Sequence, residues 1–236
     1  MDRLRIFLGK RPIVVDNLEL FSPTINQIDE VTEPIYHFYL TLASFDKETV
    51  FKELFKVTDE EYLEISKMDD YDALTIHETL GNYVATALSF FSKKEIIFND
   101  HQKIFTLNEN IVVHKKNYKK VSDYIRKLNG LLKEKEELQF KNDRVKKKYE
   151  EFMKRKRKMM KNSGLELKDM LSVLCSAEGN GISIFNVGEL TIYQVYEHFE
   201  RINIMENHKR MLALWANTFS LKEGTKLEDW IVRTNF

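Results

Sequence analysis

Cysteine occurs once in this chain, at Cys175, so no intramolecular disulfide can form and a thiolate metal cluster is excluded. That usage fits a reducing cytosol. Cys175 lies in the apolar run 170–177, where a small buried hydrophobe is expected. Proline and glycine are also scarce, three and eight among 236 residues. So few turn formers argue against an all-β sandwich. No run approaches the roughly 18 apolar residues of a membrane span. The N-terminal apolar stretch is broken at Gly9-Lys10-Arg11, too short for a signal peptide. The expected place of work is a cytosol, with no membrane partner.

The residue types that carry chemistry are present but scattered. His77-Glu78 opens like a zinc-protease helix, but position 81 is Gly81, so the second ligand is missing. The remaining histidines, His37, His101, His114, His198 and His208, do not assemble three or four converging ligands. Acids cluster at Asp59/Glu60/Glu61, at Asp69/Asp70/Asp72 and at Glu134/Glu136/Glu137. Each cluster falls at an expected helix start or on a charged face, where capping and solvation explain it. No glycine-rich phosphate loop is followed by Lys and Ser or Thr, and Glu178-Gly179-Asn180-Gly181 reads as a flexible loop. No nucleophile elbow exists, and Cys175 has no histidine nearby. The chain is read as a non-enzyme without cofactor or metal.

What is there is a globular composition: 43% hydrophobic and 12% aromatic residues, enough to fold and bury a core. Leu4, Ile6 and Leu8 alternate, Gly9-Lys10-Arg11-Pro12 turns, and Ile13-Val14-Val15 follows, which predicts a β-hairpin. Asp16-Asn17 turns again into a short strand at 18–21. Thr24 with Gln27 forms a capping box for a helix carrying Ile25, Ile28 and Val31. Pro34 suits the first turn of the next helix. Asp46 and Thr58 start two more, the latter with three acids in its first turn. A longer helix is expected from about 71 to 91, with Leu74, Ile76, Leu80, Tyr83, Val84, Ala87, Leu88 and Phe91 on its apolar face.

Strands at 95–98 and 103–107, and a third at 111–114, give a second hairpin or meander that can join the first. Val121, Ile125, Leu128 and Leu132 form a helical stripe interrupted at Asn129-Gly130. A narrower stripe, Leu138, Val145, Tyr149 and Phe152, follows on a charged helix ending near Asn162-Ser163-Gly164. Leu167, Met170, Leu171 and Leu174 make a short helix. A loop over 178–188 carries Ile182, Ile184 and Phe185, and Thr191 caps a helix carrying Ile192, Val195, Tyr196, Phe199 and Ile202; Ile204 to Trp215 continues it or turns into another helix, and Leu227, Trp230 and Ile231 finish the chain. The aromatic pairs Phe38/Tyr39, Phe51/Phe55 and Tyr196/Phe199 have helical spacing and are expected in the core.

The fold class is therefore α+β, mostly α-helical. A small antiparallel sheet (the N-terminal hairpin plus a hairpin near 95–114) packs with helices, a long charged helix and a C-terminal helical cluster. The expected domains are an α+β domain over 1–132, a basic helix or linker over 133–163 and a helical subdomain over 164–236.

Charge is segregated along the chain. The 37 basic and 37 acidic side chains cancel, yet eleven basic residues stand against three acidic ones between Lys141 and Lys161. Such a run can neutralise phosphates, dock on an acidic partner or simply stay solvated. Its aromatic interleaving is limited to Tyr149 and Phe152, thin for a single-strand binder. The candidate partner-binding residues are Lys154, Arg155, Lys156, Arg157 and Lys158, with Tyr149 and Phe152.

Three stretches, in order and spacing, resemble tail assembly chaperones or tail-associated proteins of tailed phages and prophages of Gram-positive bacteria. They are Phe21-Ser22-Pro23-Thr24-Ile25-Asn26-Gln27-Ile28-Asp29-Glu30-Val31 followed by Tyr36 and Tyr39-Leu40; Asn117-Tyr118 with Tyr124-Ile125-Arg126-Lys127-Leu128-Asn129-Gly130-Leu131; and Leu190-Thr191-Ile192-Tyr193-Gln194-Val195-Tyr196 with Phe199 and Arg201-Ile202. The basic insert around 146–161 is longer and more basic than that family leads one to expect. The resemblance implies a non-catalytic protein of the host bacterial cytoplasm. It would hold the aggregation-prone tape-measure protein through apolar helical grooves while tail-tube subunits polymerise around it, with a homo-oligomer left open. The alternative is a nucleic-acid-binding module using the basic helix 141–161.

Overall fold

The computed structural model describes residues 3–131, 165–216, 229–232 and 234. Among these, 3–131 and 188–197 form one compact unit; 165–187, 198–216, 229–232 and 234 belong to a second. The fold is α+β and mostly helical, with strands confined to two small antiparallel sheets in the first unit. The hairpins expected to share one sheet form separate sheets of two and three strands.

Helix α1 (Arg3–Leu8) replaces the expected first strand. Three apolar residues at alternate positions are too few to fix a period, and only Ile6 is buried. Gly9 decides the matter. It sits at φ +66°, and its amide donates to the carbonyls of Arg5 and Ile6, a left-handed helix cap. A Cβ there would meet Thr191 Cγ2 at 2.9 Å, so glycine is also what lets this turn approach the start of the last helix.

Strands β1 (Ile13–Val15) and β2 (Leu18–Leu20) pair across the Asp16-Asn17 turn. Ile13, Val15, Leu18 and Leu20 all point inward. The capping boxes fall where the sequence puts them. Thr24 Oγ1 accepts the Gln27 amide at 3.3 Å and Gln27 Oε1 accepts the Thr24 amide at 3.1 Å, opening α2 (Ile25–Val31). Thr58 and Glu61 do the same for α4 (Asp59–Ser66). Between them lie α3 (Glu33–Ala43), with Pro34 in its first turn, and a π-helical turn, Thr49–Leu54, whose Thr49 amide donates to Asp46 Oδ1.

The single helix expected over 71–91 is two: α5 (Asp70–Leu74), capped by Asp69, and α6 (Glu78–Ser92). Tyr71 explains the break. Its ring stacks on Phe45 at 5.8 Å, meets Phe105 edge-on and packs beside Tyr118, while its hydroxyl donates to the Lys103 carbonyl at 2.7 Å. Thr75 then folds its hydroxyl back onto the Tyr71 carbonyl, and His77 is extended before α6 begins. Rephasing leaves Ile76 and Tyr83 exposed while Leu80, Val84, Leu88 and Phe91 are buried.

Strands β3 (Ile97–Asn99), β4 (Ile104–Leu107) and β5 (Asn110–Val113) form an antiparallel meander. A register shift interrupts the β4–β5 pairing at Phe105/Thr106. Helix α7 (Tyr118–Leu128) buries Val121, Ile125 and Leu128 as expected and stops at Asn129-Gly130. Helix α6 packs on α3 and β3, and α3 also packs on α7.

The last helix of this unit starts at another capping box: Thr191 and Gln194 bond reciprocally at 2.8 and 3.3 Å to open α9 (Ile192–Ala216). The two box-bearing segments pair. Thr24 and Thr191 form an antiparallel bridge, the Ile25 amide donates to Leu190 and the Ile192 amide to Pro23. Gly188 allows this approach, since a Cβ there would lie 2.0 Å from Asn26 Oδ1.

In the second unit, α8 (Leu167–Ser176) buries Leu174. Cys175, expected to be buried, is half-buried. Along the described part of α9 in this unit, Arg201 donates to the Val232 carbonyl at 2.9 Å and more weakly to that of Trp230.

Candidate partner-binding surfaces

The seven sequence candidates, Lys154, Arg155, Lys156, Arg157, Lys158, Tyr149 and Phe152, lie outside the described residues, as does the narrow stripe of which two of them are part. The apolar stripes within the first unit do not supply open grooves. Leu40, Leu42, Val84, Leu88, Val121 and Ile125 form the core, so the helical ridges expected to grip another chain there are sealed. The aromatic pairs differ in the opposite sense. Phe38, Tyr39, Phe51, Tyr196 and Phe199 are only partly buried, and Phe55 is exposed.

Large apolar side chains are displayed elsewhere, most plainly on the 177–187 loop. Phe185 is 96% exposed and Ile184 74%. The loop carrying them is hydrogen-bonded through its own side-chain amides. Asn180 Nδ2 donates to the Leu174 carbonyl at 2.8 Å, and Asn180 Oδ1 accepts the Ile182 amide at 2.9 Å. Asn186 Oδ1 accepts the Ser183 amide at 2.8 Å, and Asn186 Nδ2 donates to Gly181 at 2.9 Å. Gly179 and Gly181 supply the positive φ angles that the bends need. Side chains presented on a braced turn lose little conformational freedom when a partner covers them.

A second feature is a shallow groove of about 460 Å³ in the first unit, between Tyr71 and Asp72 on one side and 102–104, Ile111 and 114–116 on the other. Its charged rim comes from a basic turn that the sequence reading passed over. His114 to Lys120 holds four lysines and no acid. Charge counting in short windows would have found it. The turn is fixed by Asn117, whose Oδ1 accepts the His114 amide and whose Nδ2 donates to the Val112 carbonyl and to Asp16 Oδ2 at 2.8–3.0 Å. Lys120 also reaches Asp16, and Lys115 pairs with Asp72.

The titratable groups are tuned for structure. The Asn117 amide and the Lys120 ammonium hold the Asp16 carboxyl below its ordinary value. Burial pushes Asp69 up, but the Tyr71 amide, the Tyr118 hydroxyl, Lys119 and Lys115 together bring it below the usual range. Burial raises Tyr36, Tyr71 and Tyr118. Tyr36 is thereby kept as a neutral donor to Asn129 Oδ1 at 3.0 Å. Each of these shifts moves the group's pKa away from 7, the reverse of what proton transfer near pH 7 needs. Among the described residues no three His, Cys, Asp or Glu side chains gather where a metal could sit. No helix among them is long and apolar enough to cross a membrane.

Residues 154–235 match the family model described as the YomV second domain. That family is phage-derived, and the match is consistent with a phage protein. The matched stretch includes the Ile184–Phe185 turn and is about one third of the chain. No curated protein and no solved structure matches the chain.

Proposed function

We propose that this phage-related chain is a non-catalytic assembly factor of the tail-assembly-chaperone kind. It holds tape-measure and tail-tube polypeptides in the host bacterial cytoplasm by apolar contact. The observation that carries the reading is the Ile184–Phe185 turn, two large apolar side chains displayed to solvent on a hydrogen-bonded loop. Exposed aromatics of this sort are the anchors around which protein interfaces are built. Burying each is worth about 1.5–3 kcal/mol. The titration pattern and the scattered histidines support a binding role over a chemical one. The division into 1–132, 133–163 and 164–236 belongs to the same proposal, with the basic segment as a second contact.

Co-expression tests it. With the tape-measure protein of the phage that encodes this chain, the wild type keeps the partner soluble and co-purifies with it. Phe185→Ser loses roughly 2 kcal/mol of binding, about thirtyfold. A tape-measure protein that stays insoluble and never co-purifies ends the chaperone reading.

Charge segregation favours a second reading, nucleic-acid binding through 141–161. It requires gel shifts that fade steeply with salt and vanish when Lys154, Arg155, Arg157 and Lys158 are reversed. Absence of any shift at low salt removes it.

A further inference from the structure

We propose that the groove beside β5 is a docking site for an acidic segment of a partner polypeptide, one whose carboxylates flank an aliphatic side chain. The site lies wholly in the first unit and uses nothing of the Ile184–Phe185 turn, so it stands or falls separately from the reading above. Its floor is apolar: Ile104 is partly exposed, Ile111 is 50% exposed, and Tyr71 closes the bottom. Its rim is basic, with Lys103, Lys115 and Lys116 around His114.

Lys115 and Lys116 are available to a ligand. Lys103 is held on the rim by Asp100, by the Ile76 carbonyl at 3.3 Å and over the Phe98 ring. Lys115 pairs with Asp72, but the pair is well exposed, and exposed pairs hold weakly. An incoming carboxylate can draw its ammonium over. Among the described residues no carboxylate pairs with Lys116. His114 turns its Nδ1 inward to accept the Lys116 amide at 3.1 Å, leaving Nε2 on the outer side of the ring. The surplus on the rim is positive, so the complementary ligand is an anion.

The floor decides which anion. Single strands of nucleic acid are gripped by stacking bases on exposed aromatic faces. Two rings line this groove. Tyr71 is 2% exposed, with its ring packed among Phe45, Phe105 and Tyr118 and its hydroxyl committed to the Lys103 carbonyl. His114 is partly buried on the rim, its Nδ1 held by the Lys116 amide, a single small ring where successive bases need several. Ile104 and Ile111 offer nothing for a base to stack on, but they suit a leucine or isoleucine. Apolar floor and basic rim together describe an acidic, aliphatic peptide.

Fluorescence anisotropy on the full chain tests this with three fluorescein-labelled probes. They are a peptide of alternating Glu and Leu, its counterpart with Lys for Glu, and oligothymidylate. The Glu–Leu peptide binds, the Lys–Leu peptide does not. Lys116→Glu and Ile111→Ser each weaken the Glu–Leu peptide about tenfold or more. Both positions are exposed, and thermal melts matching the wild type verify that each variant is folded. Failure of the Glu–Leu peptide to bind, or binding indifferent to both substitutions, overturns the proposal. So does a loss in Lys116→Glu of oligothymidylate binding but not of peptide binding, which assigns the groove to nucleic acid.

Discussion

Gly81 shows how one residue settles two questions. In the sequence it removes the second histidine of a zinc-protease helix. In the fold it lets α6 lie against β3, because a Cβ at that position would fall 2.2 Å from the Phe98 ring. The ring is buried on Phe105 at 5.0 Å; Phe105 in turn meets Phe45 and Tyr71, and both of these meet Tyr118, completing an aromatic cluster. Gly81→Ala adds a methyl where there is no room and is expected to cost about 1–3 kcal/mol, despite alanine's better helix propensity. A chemical denaturation curve checks it, and an unchanged or raised stability contradicts the packing described. Asn117 and Asn129 work at the same scale. Each is a buried amide whose groups are matched to a tyrosine, a carboxylate or backbone, so the resemblance stretches that contain them carry architecture more than partner contact.

Among elements, the paired helix starts are the most informative. Thr24-Ile25-Asn26-Gln27-Ile28 and Thr191-Ile192-Tyr193-Gln194-Val195 repeat one pattern, each a capping box, and the two bond across the Thr24–Thr191 bridge. Removing either cap, by Thr24→Ala or Thr191→Ala, should cost about 1 kcal/mol. Because the starts are bonded to each other, the double variant should depart from additivity by 0.5 kcal/mol or more, on the order measured for contacting residues. Strict additivity in a double-mutant cycle contradicts an energetic link between them.

The same elements show what was legible beforehand. Capping boxes, the α7 stripe and the β3–β5 meander were readable because the groups that determine them lie within a few residues. Helix α1 was not, although its Gly9 cap is local, because three apolar residues at alternate positions mimic a strand. The α5–α6 break was not, because Tyr71 is fixed by Lys103 and by rings from three other segments. The Ile184–Phe185 display was read only as an apolar patch, since alternation does not say which side of a turn faces water. The basic candidates at 154–158 fall outside the described residues, and the four lysines of the His114–Lys120 turn stand apart from that longer run, so the run masks them.

For the whole molecule, zero net charge conceals a segment of eleven bases against three acids set in an acidic remainder. Within the first unit the helical stripes serve the core, and the two most exposed large apolar side chains among the described residues, Ile184 and Phe185, stand on a hydrogen-bonded loop. The most direct measurement is calorimetric titration of the purified chain with a segment of a phage tape-measure protein. The account predicts binding with a negative heat-capacity change, the mark of buried apolar surface, and its weakening by one to two orders of magnitude, roughly, in an Ile184→Ser/Phe185→Ser variant. Equal affinity in the variant, or no binding by the wild type, would contradict it.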